Sequence, residues 1–167
     1  MNRLLILDLD ETLIHTTREW IGYSPDFTCE GHGFIFIRPG FSEFIAEIRS
    51  YFDVAVWTAG TKDYLECVTS NLFRNVNLSF AWCRDHCVVD TYSNGDPLFL
   101  KELNKIERKG YNLRNVLAID DRPEALKNYP DNLISIKPFY GDREDSELAE
   151  LANYLKQKVK SNSGQND

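Results

Sequence analysis

Four aspartates and a threonine stand at or just after short apolar runs. The run over residues 4–9 contains Asp8 and leads into Asp10, Glu11 and Thr12; residues 54–57 lead into Thr58, Ala59 and Gly60; residues 116–119 lead into Asp120 and Asp121. Carboxylates gathered at one site repel one another strongly unless a cation joins them. Ligands that are all oxygen select a hard ion, and Mg²⁺ is the natural candidate. Acids at strand ends also cap the helices that follow. Capping accounts for any one of these residues, but it does not call for paired acids at two separate runs.

The apolar runs are the elements that must position these groups. Residues 4–9, 54–57, 116–119 and 133–136 are nearly continuous in apolar character, which suits strands buried on both faces of a parallel sheet. Phe41, Phe44, Ile45 and Ile48 have helical spacing, as do Tyr64, Leu65, Val68 and Leu72, and Leu148, Leu151, Ala152 and Leu155. Strands alternating with helices predict one α/β domain, a doubly wound parallel sheet, over residues 1–159, with a frayed tail at 160–167. In such a sheet, ligands sit beyond the carboxyl ends of the strands. Two stretches interrupt the alternation. Residues 20–38 read as a small β-hairpin or flap, and Asn94-Gly95 marks a hairpin turn between residues 88–92 and 97–100.

Asp8-Leu9-Asp10-Glu11-Thr12-Leu13 resembles the first motif of the haloacid dehalogenase superfamily of phosphatases. Val56-Trp57-Thr58-Ala59-Gly60 resembles the second motif, Lys101 stands in the place of the third-motif lysine, and Ile119-Asp120-Asp121-Arg122-Pro123 resembles the fourth. Arg84-Asp85-His86-Cys87 and residues 132–148 are further similar to the branch holding the RNA polymerase II C-terminal-domain phosphatases. The resemblance implies a Rossmann-like phosphatase domain and a role for each matching residue. Asp8 is the expected nucleophile and Asp10 the general acid and base. Thr58, Ala59, Arg84 and Lys101 contact the phosphoryl group or substrate, and Asp8, Asp10 (through its backbone carbonyl), Asp120 and Asp121 hold Mg²⁺. One departure stands out. The small members of the branch carry Asn after the fourth-motif aspartate, whereas Asp121 makes this site more negative and closer to the larger Fcp-type relatives.

The remaining features set the expected substrate. Neither interval between motifs has room for a cap domain with its own core, so the site is expected to be open and to meet phosphate on a macromolecule. A phosphoserine or phosphothreonine protein is the first choice, a nucleic-acid 3′-phosphate the second and a small phosphomonoester the third. A net charge of −7 argues mildly against nucleic acid. A non-catalytic module of the same fold would be expected to lose at least one of Asp8, Asp10, Thr58, Lys101, Asp120 and Asp121, and all are present. No apolar run approaches the ~20 residues that span a bilayer, so a cytoplasmic or nuclear protein is expected. Cys29, Cys67, Cys83 and Cys87 are expected to be reduced thiols, with a zinc set of Cys83, Cys87, Cys29 and His32 as the weaker alternative. Trp20, Tyr23 and Phe27 are expected to bury the flap. His15, His32 and His86 are expected to make local hydrogen bonds, Arg122 to pair with Glu124 at the surface, and the acidic run over residues 142–147 to open a helix.

Overall fold

A computed structural model describes residues 3–163, and the side chains among them through Ser161. Its centre is a five-stranded parallel sheet of β1 (Leu4–Leu7), β5 (Asp53–Trp57), β6 (Leu78–Trp82), β9 (Val116–Asp120) and β10 (Leu133–Ser135), in the order β10-β9-β1-β5-β6. Alternate side chains of one strand point to opposite faces. Leu5, Leu7, Val54 and Val56 therefore meet one core, and Leu4, Ile6, Ala55 and Trp57 the other. The first core is covered by all three long helices: α1 (Phe41–Ile48), α2 (Lys62–Leu72) and α4 (Glu147–Ser163). The second is closed by the one-turn helix α3 (Asn104–Glu107) with Leu103 and Ile106, and by Leu126 from a 3-10 turn. The sheet is thus covered on both faces, but unequally.

The fold holds one strand that apolar runs did not mark. In β6, Leu78, Phe80 and Trp82 alternate with exposed Ser79 and Ala81, the period of an edge strand with one buried face. The flap is also larger than a hairpin. β2 (Ile14–Thr17), β3 (Phe27–Cys29) and β4 (Gly33–Ile37) form an antiparallel sheet in the order β2-β4-β3. The Asn94-Gly95 hairpin forms as expected from β7 (Val88–Thr91) and β8 (Pro97–Leu100).

Several expectations need correction. Cys29 and Cys67 form a disulfide that joins β3 of the flap to α2, with Cα atoms 6.0 Å apart; Cys83 and Cys87 are free. No spacing signal marks a pair separated by 38 residues, and closing such a loop removes roughly 4 kcal/mol of unfolded-chain entropy in the loop-closure model. The bridge also removes Cys29 from any zinc set, and His32 Nε2 instead lies 2.8 Å from Asp63 Oδ2. Trp20 does not bury the flap, since it is 63% exposed. α4 runs on to Ser163, inside the stretch expected to fray, while residues 164–167 lie outside the described ones. Of the acidic run, only Glu147 is helical, because Asp142 and Asp145 are spent in the preceding turns on the amides of Glu144 and Glu147.

Asp145 has a second task. Arg38, only 1% exposed, sends Nε and Nη2 to the two oxygens of Asp145, each at 2.8 Å, and Nη1 to the carbonyl of Thr12 at 3.0 Å. This fork ties the end of the flap to the loop after β1 and to the approach to α4. Burial works to raise the Asp145 carboxyl, but the hydrogen bonds and charge of Arg38 outweigh it and hold the group below the ordinary value. A depressed folded value means that the stabilisation is present above the ordinary carboxylate range and is lost as pH falls through the folded value. Asp145→Asn is therefore expected to cost roughly 3 kcal/mol at neutral pH by leaving a buried guanidinium without its anion. In calorimetric melts, the gap between wild type and variant should narrow as pH falls below the ordinary carboxylate range, and close only below the still lower folded value of Asp145.

Candidate active site

The acids meet where the sheet order changes direction about β1. Asp8 and Asp10 follow β1, Thr58 follows β5, and Asp120 ends β9 beside Asp121. The amide of Asp8 bonds to the Ile119 carbonyl at 3.0 Å, which extends the β1–β9 pairing and fixes Asp8 against Asp120. Lys101, directly after β8, enters from the hairpin side, and its amide is held 2.7 Å from the Ala125 carbonyl.

Lys101 Nζ lies 2.6 Å from Asp8 Oδ1 and 2.6 Å from Asp120 Oδ2. All three groups are buried. Burial alone would lower the lysine, but the two carboxylates reverse that and hold its pKa above the ordinary value. Asp8 is pushed the other way. Burial raises its carboxyl well above the usual range, Lys101 pulls it back only in part, and Asp120 and Asp10 raise it further. Burial and Asp120 also raise Asp121. One lysine is therefore set against an excess of buried negative charge, a centre that gains from a further cation.

Among the described residues, Asp8, Asp120 and Asp121 form a group able to hold a metal ion, with one oxygen of each within 4.8 Å of the others. Both oxygens of Asp120 already accept protein donors, Lys101 on one and the Arg122 amide at 2.9 Å on the other. Asp121 is steadied by Thr12, whose hydroxyl donates to Asp121 Oδ1 at 3.3 Å and accepts from its amide at 3.1 Å. An all-carboxylate set with surplus negative charge fits a hard divalent cation such as Mg²⁺.

The side chain of Asp10 turns away from this group. Its Oδ1 accepts from the Tyr64 hydroxyl and from Thr16 at 3.2 Å, and its Oδ2 accepts a long bond from Thr58 at 3.5 Å. The backbone makes this separation possible. Glu11 takes a left-handed conformation (φ 56°), the one positive-φ residue among the described residues that is not glycine. Such a residue costs about 1–3 kcal/mol and persists only where its surroundings enforce it. Here the Glu11 amide bonds to the Ile14 carbonyl at 2.8 Å, its own carbonyl accepts from the Phe139 amide at 2.7 Å, and its carboxylate pairs with His15 at 3.1 Å.

A narrow cleft above Asp8, Lys101 and Asp120 is lined by Ala59, Tyr92, Phe99 and Arg122. Arg122 is exposed, as a surface residue should be, but it stands on the wall of this cleft and not in an ion pair with Glu124. The Arg122 guanidinium has its pKa raised although burial opposes it, because the charges of Asp8 and Asp121 act on it. Arg84 flanks the same cleft, with Nε 2.9 Å from the Ala59 carbonyl and its guanidinium 5.1 Å over the Phe99 ring. Two cations thus border the cleft. Three residues of this neighbourhood were not singled out from the sequence: Tyr64 was read only as an apolar helix position, Thr16 lies in an unmarked strand, and Arg38 supports Thr12 from behind. The Arg38-Pro39-Gly40 step before α1 is the faint signal for the last.

Residues 3–165 match the family described as NLI interacting factor-like phosphatase. The chain belongs to that family. It is 30% identical over 168 residues to CTD nuclear envelope phosphatase 1B of Danio rerio, covering 92% of this chain and 65% of the relative. It is 32% identical over 158 residues to CTD small phosphatase-like protein 2 of Dictyostelium discoideum, covering 90% of this chain and 26% of that one. The chain therefore spans just under two thirds of the first relative and about a quarter of the second. The fold matches a variant of the fission yeast RNA polymerase II CTD phosphatase Fcp1 bound to beryllium fluoride, with a TM-score of 0.61 at 20% identity, over 95% of this chain and 51% of that one. The NLI interacting factor-like family sits in the haloacid dehalogenase superfamily, as the motifs implied. Among the described residues, no helix is long and apolar enough to cross a membrane.

Proposed function

We propose that the protein is a Mg²⁺-dependent phosphomonoester hydrolase that works through an aspartyl-phosphate on Asp8 and acts on phosphoserine or phosphothreonine in proteins. The observation that carries this reading is the division of labour between two neighbouring aspartates. Asp8 shares Lys101 with Asp120, whereas Asp10 is held by hydroxyl groups away from the metal-binding carboxylates.

In the first half-reaction an oxygen of Asp8 attacks phosphorus and the bond from phosphorus to the substrate oxygen breaks. Asp10 delivers its proton to the departing alkoxide. In the second, water attacks the same phosphorus, the bond to Asp8 breaks, and Asp10 takes the proton from water. Lys101 offsets the charge of Asp8 as an anionic phosphate approaches, and Thr58 offers a hydroxyl to the phosphoryl oxygens. Asp8, Asp120 and Asp121, with the backbone carbonyl of Asp10, would hold Mg²⁺, which when bound polarises the phosphoryl group.

The cleft supports a protein substrate. Arg84 and Arg122 border it, and Tyr92 and Phe99 supply flat walls. The β7–β8 hairpin supplies Tyr92, Pro97, Leu98 and Phe99 to its wall, and this wall suits a phosphate carried on an extended chain. Relatives named as CTD phosphatases support a protein substrate. Under identical Mg²⁺, a phosphoserine peptide is expected to be hydrolysed at least tenfold faster, in kcat/KM, than a 3′-phosphorylated oligonucleotide or a sugar phosphate. EDTA should stop turnover and Mg²⁺ restore it. Faster turnover of the oligonucleotide would replace the protein substrate, and indifference to EDTA would refute the metal.

A further inference from the structure

We propose that Tyr64 is a positioning residue for proton transfer, fixing which oxygen of Asp10 carries the proton; this rests on the reading of Asp10 as general acid. The Tyr64 hydroxyl donates to Asp10 Oδ1, and the single proton of Thr16 Oγ1 serves either the Tyr64 oxygen at 2.5 Å or Oδ1 at 3.2 Å. With Tyr64 donating to Oδ1, that oxygen is the acceptor of the carboxyl, so the acid's proton belongs on Oδ2. Oδ2 is the oxygen on the side of Thr58, the residue assigned to the phosphoryl group. Tyr64 therefore turns the proton toward the leaving group instead of into the protein.

The ring is built into place from three directions. It is 4% exposed in the first turn of α2. His32, from the turn between β3 and β4 of the flap, packs on it with centroids 4.9 Å apart while bonding to Asp63, the residue before Tyr64. One turn further along α2, the Cys29–Cys67 bridge ties the same helix to the same flap strand. On the other side lies Gly60. A Cβ there would stand 2.6 Å from Tyr64 Cδ1 and 3.2 Å from Thr58 Oγ1, so the glycine is required by space, its φ not being positive. Helix, flap and the Thr58 loop thus converge on one phenol whose polar end meets Asp10.

The test separates positioning from structure by leaving group. Tyr64→Phe keeps the ring and its packing and removes only the hydroxyl. In single turnover, cleavage of a phosphoserine peptide, whose alkoxide needs a proton, is expected to slow about tenfold to a hundredfold with little change in KM. The burst of p-nitrophenol from p-nitrophenyl phosphate, whose leaving group needs none, is expected to change less than twofold. Equal loss on both substrates in Tyr64→Phe, or no loss on the peptide, would overturn the assignment. Asp8→Asn and Asp10→Asn run beside it tell the two levels apart. Normal peptide hydrolysis by those two variants refutes the phosphatase reading itself, whereas their inactivity with a normal Tyr64→Phe refutes only the role of Tyr64.

Discussion

Asp8→Asn is expected to lower kcat on a phosphoserine peptide by roughly ten-thousandfold or more, to the background of the assay, while leaving the fold intact. The size follows from the role. A nucleophile that forms the covalent intermediate has no substitute, and removing such a group typically costs several orders of magnitude. An amide is a poor nucleophile toward phosphorus and cannot give back an acyl phosphate of the same kind. The fold should survive because Asn has the shape of Asp. Lys101 also keeps Asp120, 2.6 Å away, and Lys101 and Asp120 then stand as a balanced pair. Asp8 is the group that burial already pushes toward its neutral form, so the neutral amide relieves part of the cost of burying charge. Thermal melts without Mg²⁺ are thus expected to show the variant no less stable than wild type. Retained Mg²⁺-dependent turnover would remove Asp8 from the nucleophile's position.

Lys101→Met should have the second largest effect, and on two quantities at once. It removes the one side-chain cation that, among the described residues, is in direct contact with both Asp8 and Asp120. A preorganised charge aimed at the reacting group is worth about a hundredfold to a thousandfold in kcat, and a loss of at least that size is expected here. Stability should fall as well, by roughly 3–5 kcal/mol when Mg²⁺ is absent, because removing one partner leaves buried charge without compensation. Mg²⁺ should recover much of this loss, since a divalent ion would stand against the same carboxylates and binding to the folded state stabilises it. Melts of wild type and variant with and without Mg²⁺ measure the coupling. A variant whose melting temperature ignores Mg²⁺ would show that Lys101 and the metal do not share these acids. This result is distinct from that of Asp8→Asn, which loses activity without losing stability.

How much of this was legible in the sequence depends on how each residue makes its contribution. Asp8, Asp120 and Thr58 were readable because a buried parallel strand is apolar almost throughout, so the first polar residue at its end stands out. Lys101 was readable only through the resemblance, since a single lysine after a hairpin has no pattern of its own. β6 escaped because an edge strand buries one face and its apolar residues alternate with Ser79 and Ala81. β2 escaped because His15, Thr16 and Thr17 leave one apolar residue in four. The pairing of Cys29 with Cys67 and of Arg38 with Asp145 joins residues far apart in the chain, where no periodicity reaches. Tyr64 was placed correctly on a helix face, but the same residue has two natures: its ring follows the apolar period, and its hydroxyl answers to Asp10.

The covalent intermediate is the central claim, and it can be trapped. Enzyme mixed with excess p-nitrophenyl phosphate and Mg²⁺ is quenched in acid within the first turnover, reduced with borohydride, and digested for peptide mass spectrometry. Borohydride converts an acyl phosphate of aspartate to homoserine. The peptide containing Asp8 is expected to carry homoserine at that position, with Asp10, Asp120 and Asp121 unchanged and no conversion in the Asp8→Asn variant. Homoserine at another aspartate, or none at all under conditions where the product burst is seen, would contradict nucleophilic attack by Asp8.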